Sequence, residues 1–559
     1  MRVLVLAAAA GHLAIPRIDY YSILPELVLL GGALVALAVS SVVRGELRSS
    51  VTTGLAISAG LASLSLSLVQ WYQVSGRGGD PHVTIAGAVV QDGFSAFVSV
   101  LVSCAVVLSA MVMDGWTRRE GVMGPELQIL MMVSAAGAMI MGSANDLVVV
   151  FLGLEIMSIA LYVLAALNPR RAESGEASLK YFVLGAFSSA VFAYGIALVY
   201  GATGTTNLPQ IADYLARNVL LHDGLLLAGL AFLLVGFGFK VAAVPFHLWT
   251  PDVYQGAPSP VTGFMAAIAK AGGFAALLRV FVSSFGLLRS DWQPAVWVMA
   301  AVTLVLGAVL ALVQSDIKRM LAYSSISHAG FVLLGLQAAT ARGIESSLYY
   351  LFVYTFMVIG SFAVVTVVGG RGDTSHDLDR YRGLAAAHPL LAGSLAVLLM
   401  AQAGIPFTTG FLAKLEVISA SVGAGSTALA VVAMVSAAVA AFFYLRVILL
   451  MYMPASGVLS PVPVGVSASG SVQGAWGIDV PPAPPESGEG AGNELDTVGG
   501  EDEAPDDAGS YPAGRDDLLL PGGITSAIAL CVAVTVLFGV WPAPVLDFAH
   551  RAALLFLPH

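Results

Sequence analysis

Charge is what this sequence has least of. Of its 559 residues only 11% are Asp, Glu, Lys or Arg, while 58% are hydrophobic. A soluble domain carries about a quarter charged residues, so this balance excludes an ordinary soluble fold. Cysteine is scarce too: Cys104 and Cys531 stand singly in apolar runs. Without a Cys-x-x-Cys pair, a Cys/His cluster or a haem-attachment motif, the chain has no means to hold an iron–sulfur cluster of the usual kind, and no metal is expected. Neither a P-loop nor a dinucleotide fingerprint occurs. Electrons or ATP that drive the protein are therefore carried by other chains.

Apolar runs are what fills the sequence. Fourteen of them, centred near residues 33, 62, 102, 134, 156, 190, 233, 271, 303, 328, 357, 405, 438 and 536, are each long enough to cross about 30 Å of hydrocarbon as a helix. The expected fold class is an all-α polytopic membrane protein. Met1–Ala10 reads as an apolar leader within 1–19, and could equally be a signal-peptide core. Loops after odd-numbered spans carry eleven basic residues (Arg44, Arg48, Arg118, Arg119, Arg170, Arg171, Lys318, Arg319, Arg371, Arg380, Arg382), and loops after even-numbered spans carry four. This bias places the odd loops in the cytoplasm and both termini outside. The formal charge of −10 comes from one place: residues 455–521 hold twelve acidic side chains against Arg515. Rich in Pro, Gly and Ser as well, that segment reads as a disordered cytoplasmic loop, most simply a tolerated insertion.

Lysine is rarer than arginine, at five against twenty, and it is not spent on loops. Lys240, Lys270 and Lys414 lie in apolar spans and Lys180 sits near the start of another; only Lys318 is expected in a loop. An arginine stays protonated, whereas a desolvated ammonium readily gives up its proton, so a titratable intramembrane site needs lysine. Snorkelling to the headgroups is the alternative for a lysine near a span end. Lys270 stands ten residues after Pro260, roughly 15 Å into a helix, where snorkelling is difficult. Glu155, nine residues past Asp146, lies about 13 Å deep and is the preferred partner for Lys240. His247, Tyr323 and His328 add groups that could relay a proton or simply pack by hydrogen bonding.

Two spans are interrupted by proline. KVAAVPFHLW contains Pro245 and AGIPFTTGFLAKLE contains Pro406, each within an aliphatic-Pro-Phe triplet and within eight residues of a lysine. A proline at membrane depth is tolerated where protein or water lines the break. The breaks fall in the seventh and twelfth spans, and an offset of five inverts orientation, which predicts two inverted five-helix repeats.

GFKVAAVPFHLWTPDVYQGAPSPVTGFMAAIAKAGGFA, LAYSSISHAGF and GIPFTTGFLAKLEV strongly resemble the antiporter-like membrane subunits of respiratory complex I, over roughly residues 20–455 and again in the last span. Lysine rather than glutamate at 414, and a chain ending nine residues after His550, which leaves no room for a long lateral helix, resemble the N-type branch of that family. The resemblance implies three leading spans (20–115), a first repeat (116–285), a second repeat (286–454), the acidic loop (455–521) and a last span (522–559). It implies a proton path from Glu155 and Lys240 through Lys270 to Lys414, with Lys180, His247, Tyr323 and His328 in support. It further implies a non-redox subunit of a translocating enzyme in a bacterial cell membrane, beside M-type and K-type subunits. This chain would bind no cofactor; NADH, FMN, iron–sulfur clusters and quinone would belong to partner subunits. A subunit of a multisubunit cation/proton antiporter, and a membrane scaffold whose charges only lock helices, are the competing readings.

Overall fold

Hydrocarbon offers no partner to a backbone N–H or C=O, so each apolar run closes its own hydrogen bonds as a helix. A computed structural model describes residues 18–43, 46–76, 81–121, 124–168, 171–218, 224–374, 376–454 and 521–554. Apart from its last two residues, the leader lies outside them, as does the acidic segment apart from Pro521. In chain order the helices are α1 Leu24–Val42, α2 Glu46–Gly76, α3 Gly93–Glu120, α4 Glu126–Ser143, α5 Leu147–Ala165, α6 Ala172–Thr203, α7 Leu208–Arg217, α8 Gly224–Val241 and α9 Trp249–Gly256. They continue as α10 Ser259–Leu278, α11 Arg289–Leu312, α12 Ile317–Ala338, α13 Ala341–Val368, α14 Pro389–Ala403, α15 Thr409–Gly423, α16 Thr427–Tyr452, α17 Gly522–Val540 and α18 Ala543–Leu554.

Twelve of these are long and apolar enough to cross a membrane alone. Two more positions complete the expected fourteen. One is α12, whose 22 residues include Lys318, Arg319 and a serine-rich run. The other is the pair α14 and α15, two halves of one interrupted span. The segment after residue 522 is more than a last span, because α17 is followed by the short α18, which packs on α3 and α13.

The two repeats are visible in which helices touch. In the first, α4 packs on α5, α5 on α6, both halves of the broken span (α8 and α9) on α6, and α10 closes back on α4. In the second, α11 packs on α12, α12 on α13, both α14 and α15 on α13, and α16 closes back on α11. Backbone pairing fixes the register. Leu147 N–H donates to Thr206 O and Leu208 N–H to Asn145 O; Ile317 N–H donates to His376 O and Leu378 N–H to Ser315 O. Every residue of the second set follows its counterpart by 170 positions. Asp146 and Asp316, the N-caps of α5 and α12, obey the same offset. So do Gly137 and Gly307: an added Cβ would come within 2.5 Å of Met157 N and 2.6 Å of Ser327 N. Glycine is required there because two helix backbones touch.

At the centre lie α10 and α13, whose residues are buried almost throughout. The Lys270 helix α10 is pinned at both ends by buried carboxylates. Beyond its C-terminal end the Arg279 guanidinium grips Asp92 at 2.8 and 2.9 Å and donates to Gly142 O at 2.9 Å. At its N-terminus Asp373 accepts from Ser259 N at 2.8 Å and Ser259 Oγ at 2.7 Å.

Candidate functional site

The first break is a problem in backbone chemistry. Residue 245 would donate its N–H to the carbonyl of Val241, four residues back, but proline has none to give. Lys270 Nζ donates to that carbonyl instead, at 3.5 Å. Val244 N–H finds Thr303 Oγ1 at 3.0 Å, and Phe239 O accepts from the Trp249 indole at 3.0 Å. Ala242 turns through φ 61°, which ends the helix. The ammonium of Lys270 thus caps the negative end of α8, a favourable place for a cation.

The second break repeats the solution. Pro406 deprives the carbonyl of Gln402 of its donor, and Lys414 Nζ donates to Gln402 O at 2.7 Å and to Ala403 O at 2.8 Å. Gly404, at φ 87°, faces the lysine stem, and an added Cβ would lie 2.9 Å from Lys414 Cδ. In both broken spans the carbonyl freed by proline is held by a buried lysine from another helical segment.

Lys240 sits at the other side of the first break, donating to Ser158 Oγ at 2.8 Å and to Tyr181 OH at 3.4 Å. Beside it a cavity of about 10 Å³ is lined in part by Ser158, Tyr162, Ser188 and Ser189. That is roughly the space one water needs. Lys240, Lys270 and Lys414 are 2%, 3% and 6% exposed. None forms an ion pair with a carboxylate among the described residues; their partners are hydroxyls, carbonyls and the rings of Tyr181, Tyr354 and Phe331.

Polar groups join the lysines. The Lys270 ammonium lies 5.8 Å from the Tyr354 ring, and Tyr354 OH donates to Ser325 Oγ at 2.7 Å. The His328 ring lies 5.2 Å from that of Tyr354, tilted by 49°, and bonds Tyr350 OH through Nδ1 at 2.6 Å and Tyr444 OH through Nε2 at 3.1 Å. Tyr444 OH donates to Gln402 Oε1 at 3.4 Å and pairs with Ser324 Oγ, and the backbone carbonyl of Gln402 is the acceptor for Lys414. Lys270, His328 and Lys414 are thereby brought into one buried polar line.

The other expected residues fall in different places. Glu155 is half-buried on α5, its Oε1 buried with no hydrogen-bond partner among the described residues, and makes no direct ion pair with Lys240 there. Ser158, one turn along the same helix, accepts the lysine's hydrogen bond, with Glu155 in coulombic range. Lys180 is 44% exposed and pairs with Glu176 at 2.8 Å and Asp252 at 3.0 Å. His247 is buried in the break, its Nδ1 without a partner among the described residues, and the connected bonds do not include it. Half-buried Tyr323 also stands apart, while its neighbours Ser324 and Ser325 are in the line. Lys318 corrects the sequence reading: it is not in a loop but in the first turn of α12, 0% exposed, 3.5 Å from Asp373 and 2.6 Å from Ala257 O. The polar run QSDIKR gives it a loop's appearance, and its counter-charge comes from a distant segment. Tyr354, Tyr444, Ser158 and Gln402 were not singled out by sequence. The position four residues before each proline is the signal that finds Gln402.

Residues 144–440 match the family model for the NADH:quinone oxidoreductase/Mrp antiporter transmembrane domain. NADH-quinone oxidoreductase subunit N of Trichlorobacter lovleyi is 42% identical over 70% of this chain and 82% of its own length. The same-named protein of Mycobacterium tuberculosis H37Rv is 34% identical over 97% of this chain and 99% of its own. Among solved structures, a chain of respiratory complex I from Thermus thermophilus with bound aureothin is similar at TM-score 0.69 and 27% identity, over 94% of this chain and 98% of that one. A chain of the Mrp complex from Dietzia shares the fold at TM-score 0.75 and 20% identity, over 95% of this chain and 97% of that one.

Proposed function

The chain belongs to the antiporter-like membrane subunits of NADH-quinone oxidoreductase, the subunit N type, and from that premise we propose that it moves protons along Lys240, Lys270, His328 and Lys414. It is a multi-pass membrane protein of a bacterial respiratory complex, alongside other membrane subunits of that complex. One observation carries the proposal: three buried ammonium groups form no ion pair with a carboxylate among the described residues, and two of them rest on carbonyls freed by proline. A charge at membrane depth costs about 3 kcal/mol or more and is kept for function. A carbonyl holds the charged lysine only while the broken helix keeps that carbonyl in place. A small shift at either break, or entry of water, changes how well the ammonium is held and lets its proton pass on.

Redox chemistry in other subunits would act on Glu155, half-buried on α5. Altering its field at Lys240 would start transfer toward Lys270 and then Lys414 through Tyr354, His328 and Tyr444. This subunit performs no redox step in that scheme. NADH, FMN, iron–sulfur clusters and quinone are assigned to its partners, with M-type and K-type subunits beside it and the arginine-rich loops in the cytoplasm.

The role of the tyrosine link is open to direct test. Tyr444→Phe removes the hydroxyl joining His328 to Gln402 while keeping the ring, and is expected to slow NADH-driven acidification of inverted vesicles by about tenfold at equal complex content. Wild-type rates in that variant exclude Tyr444 from the path. The function itself is tested by substituting Lys240, Lys270 and Lys414 one at a time. Pumping that survives loss of any of them at the wild-type proton-to-electron ratio removes that lysine from the route.

A further inference from the structure

On the face of the loops after odd-numbered spans, a polar cavity of about 360 Å³ opens where the two repeats meet. Glu176 and Lys180 of α6, Asp252 of α9, Asp316 at the head of α12, and Thr374 and His376 of the loop after α13 line it. His376 is 4% exposed, and its two nitrogens are in different situations. Nε2 lies 2.6 Å from Asp373 O, a carbonyl that can only accept, so Nε2 carries the hydrogen. Nδ1 is then the unprotonated nitrogen, and it has no hydrogen-bond partner among the described residues.

We propose that this cavity is the mouth through which protons are taken up, and that His376 is the group that receives them and passes them to Asp373. The inference rests on the proton-translocation reading above. Nδ1 is buried, so a small shift of the ring toward the cavity it lines exposes the lone pair to water in the mouth; a proton taken up there gives an imidazolium. The Nε2 hydrogen then passes to Asp373 Oδ1, 3.4 Å away, leaving a neutral imidazole and a neutral carboxyl. One proton enters at one nitrogen and one leaves at the other; loss of the Nδ1 proton to water and uptake of one at Nε2 restores the starting tautomer.

The surroundings set the resting charge of both groups. His376 faces Lys318, Asp373 and Asp316, with Arg171 donating to Asp373 O. Burial and then Lys318 depress the His376 pKa, opposed by Asp373 and Asp316, so at neutral pH the ring is the neutral, accepting form. Burial pushes the Asp373 carboxyl up, but Lys318, His376 and Ser259 more than offset this and hold it ionised below the usual range. Neutralising Asp373 would remove the counter-charge of buried Lys318 and loosen the cap on α10. Lys270 lies eleven residues along that helix, roughly 16 Å from the cap. The 170-residue counterpart of His376 in the first repeat is Thr206, which cannot carry a proton and is bonded to Asp146 at 2.8 Å. Uptake is thus built into only one of the two related loops.

The test uses the assembled complex in vesicles, with Lys270→Met as reference. His376→Gln is expected to slow NADH-driven acidification by about tenfold. In His376→Gly, added imidazole is expected to restore it, which a merely structural role would not allow. Thr374→Cys gives a second readout: a membrane-impermeant cationic thiol reagent should label it only from the side of the arginine-rich loops and block pumping. Full pumping by His376→Gln, or by labelled Thr374→Cys, while Lys270→Met is silent, overturns the uptake mouth and leaves the translocation reading standing. A slowed His376→Gly without imidazole rescue also overturns it, by reducing His376 to a packing residue. Full pumping by Lys270→Met instead counts against the translocation reading on which the mouth depends.

Discussion

Lys270→Met is expected to slow NADH-driven acidification by at least about tenfold while the complex still assembles. The methionine keeps the length and apolar stem of lysine and removes a buried charge that forms no ion pair with a carboxylate among the described residues. Removing that charge relieves a desolvation cost, so the fold should tolerate it. The carbonyl of Val241 loses its donor, at a cost of about 1–3 kcal/mol. That is a modest loss for a helix pinned through Arg279 at one end and Asp373 at the other. A scaffold would respond the opposite way, losing assembly first. Complex content by immunoblot, measured beside the acidification rate, separates the two.

The second large effect concerns a charge that is paired. Asp92→Ala leaves the buried Arg279 guanidinium without its bidentate carboxylate, and is expected to destabilise the subunit by about 3–5 kcal/mol. Loss of assembled complex, or a lower temperature of thermal inactivation, would report it. Pumping per assembled complex should stay at the wild-type level. The double variant Asp92→Ala/Arg279→Met is expected to recover much of the loss, because an apolar pair replaces a broken ionic one. Strong destabilisation that the second change leaves untouched would mean that Asp92 acts mainly as the cap of α3, where it bonds Ser95 N at 2.7 Å. Among the described residues, buried charges therefore separate by partner: Arg279 and Lys318 form ion pairs with carboxylates and hold helices, whereas Lys240, Lys270 and Lys414 form none.

Much of this was legible in the sequence. Hydropathy places most of the spans, because a bilayer crossing by one helix needs about 20 mostly apolar residues. The two breaks are announced by Pro245 and Pro406, and the three buried lysines by the scarcity of lysine elsewhere. Rotation about a helix axis is what sequence leaves open. Depth puts Glu155 level with a candidate lysine, yet it is Ser158, one turn on, that meets Lys240. Hydroxyls were also invisible. Serine in a membrane helix commonly bonds its own backbone, as Ser158 does to Leu154 O, so its presence carries no signal of a second partner. Lys318 was misplaced for the reverse reason: its local surroundings are polar, and the carboxylate that lets it be buried lies 55 residues away. The repeat was legible as an offset of five spans, but its 170-residue register emerges only from backbone pairing at Leu147 and Ile317.

Titration of Lys270, rather than its charge alone, is the central claim, and Lys270→Arg tests it most directly. Arginine keeps a cation on the carbonyl of Val241 but does not release its proton. The measurement is NADH-driven acidification by inverted vesicles at matched complex content. Pumping that falls to the level of Lys270→Met is the expected result. Pumping at the wild-type proton-to-electron ratio would contradict it, and would make Lys270 a fixed charge that holds the broken helix.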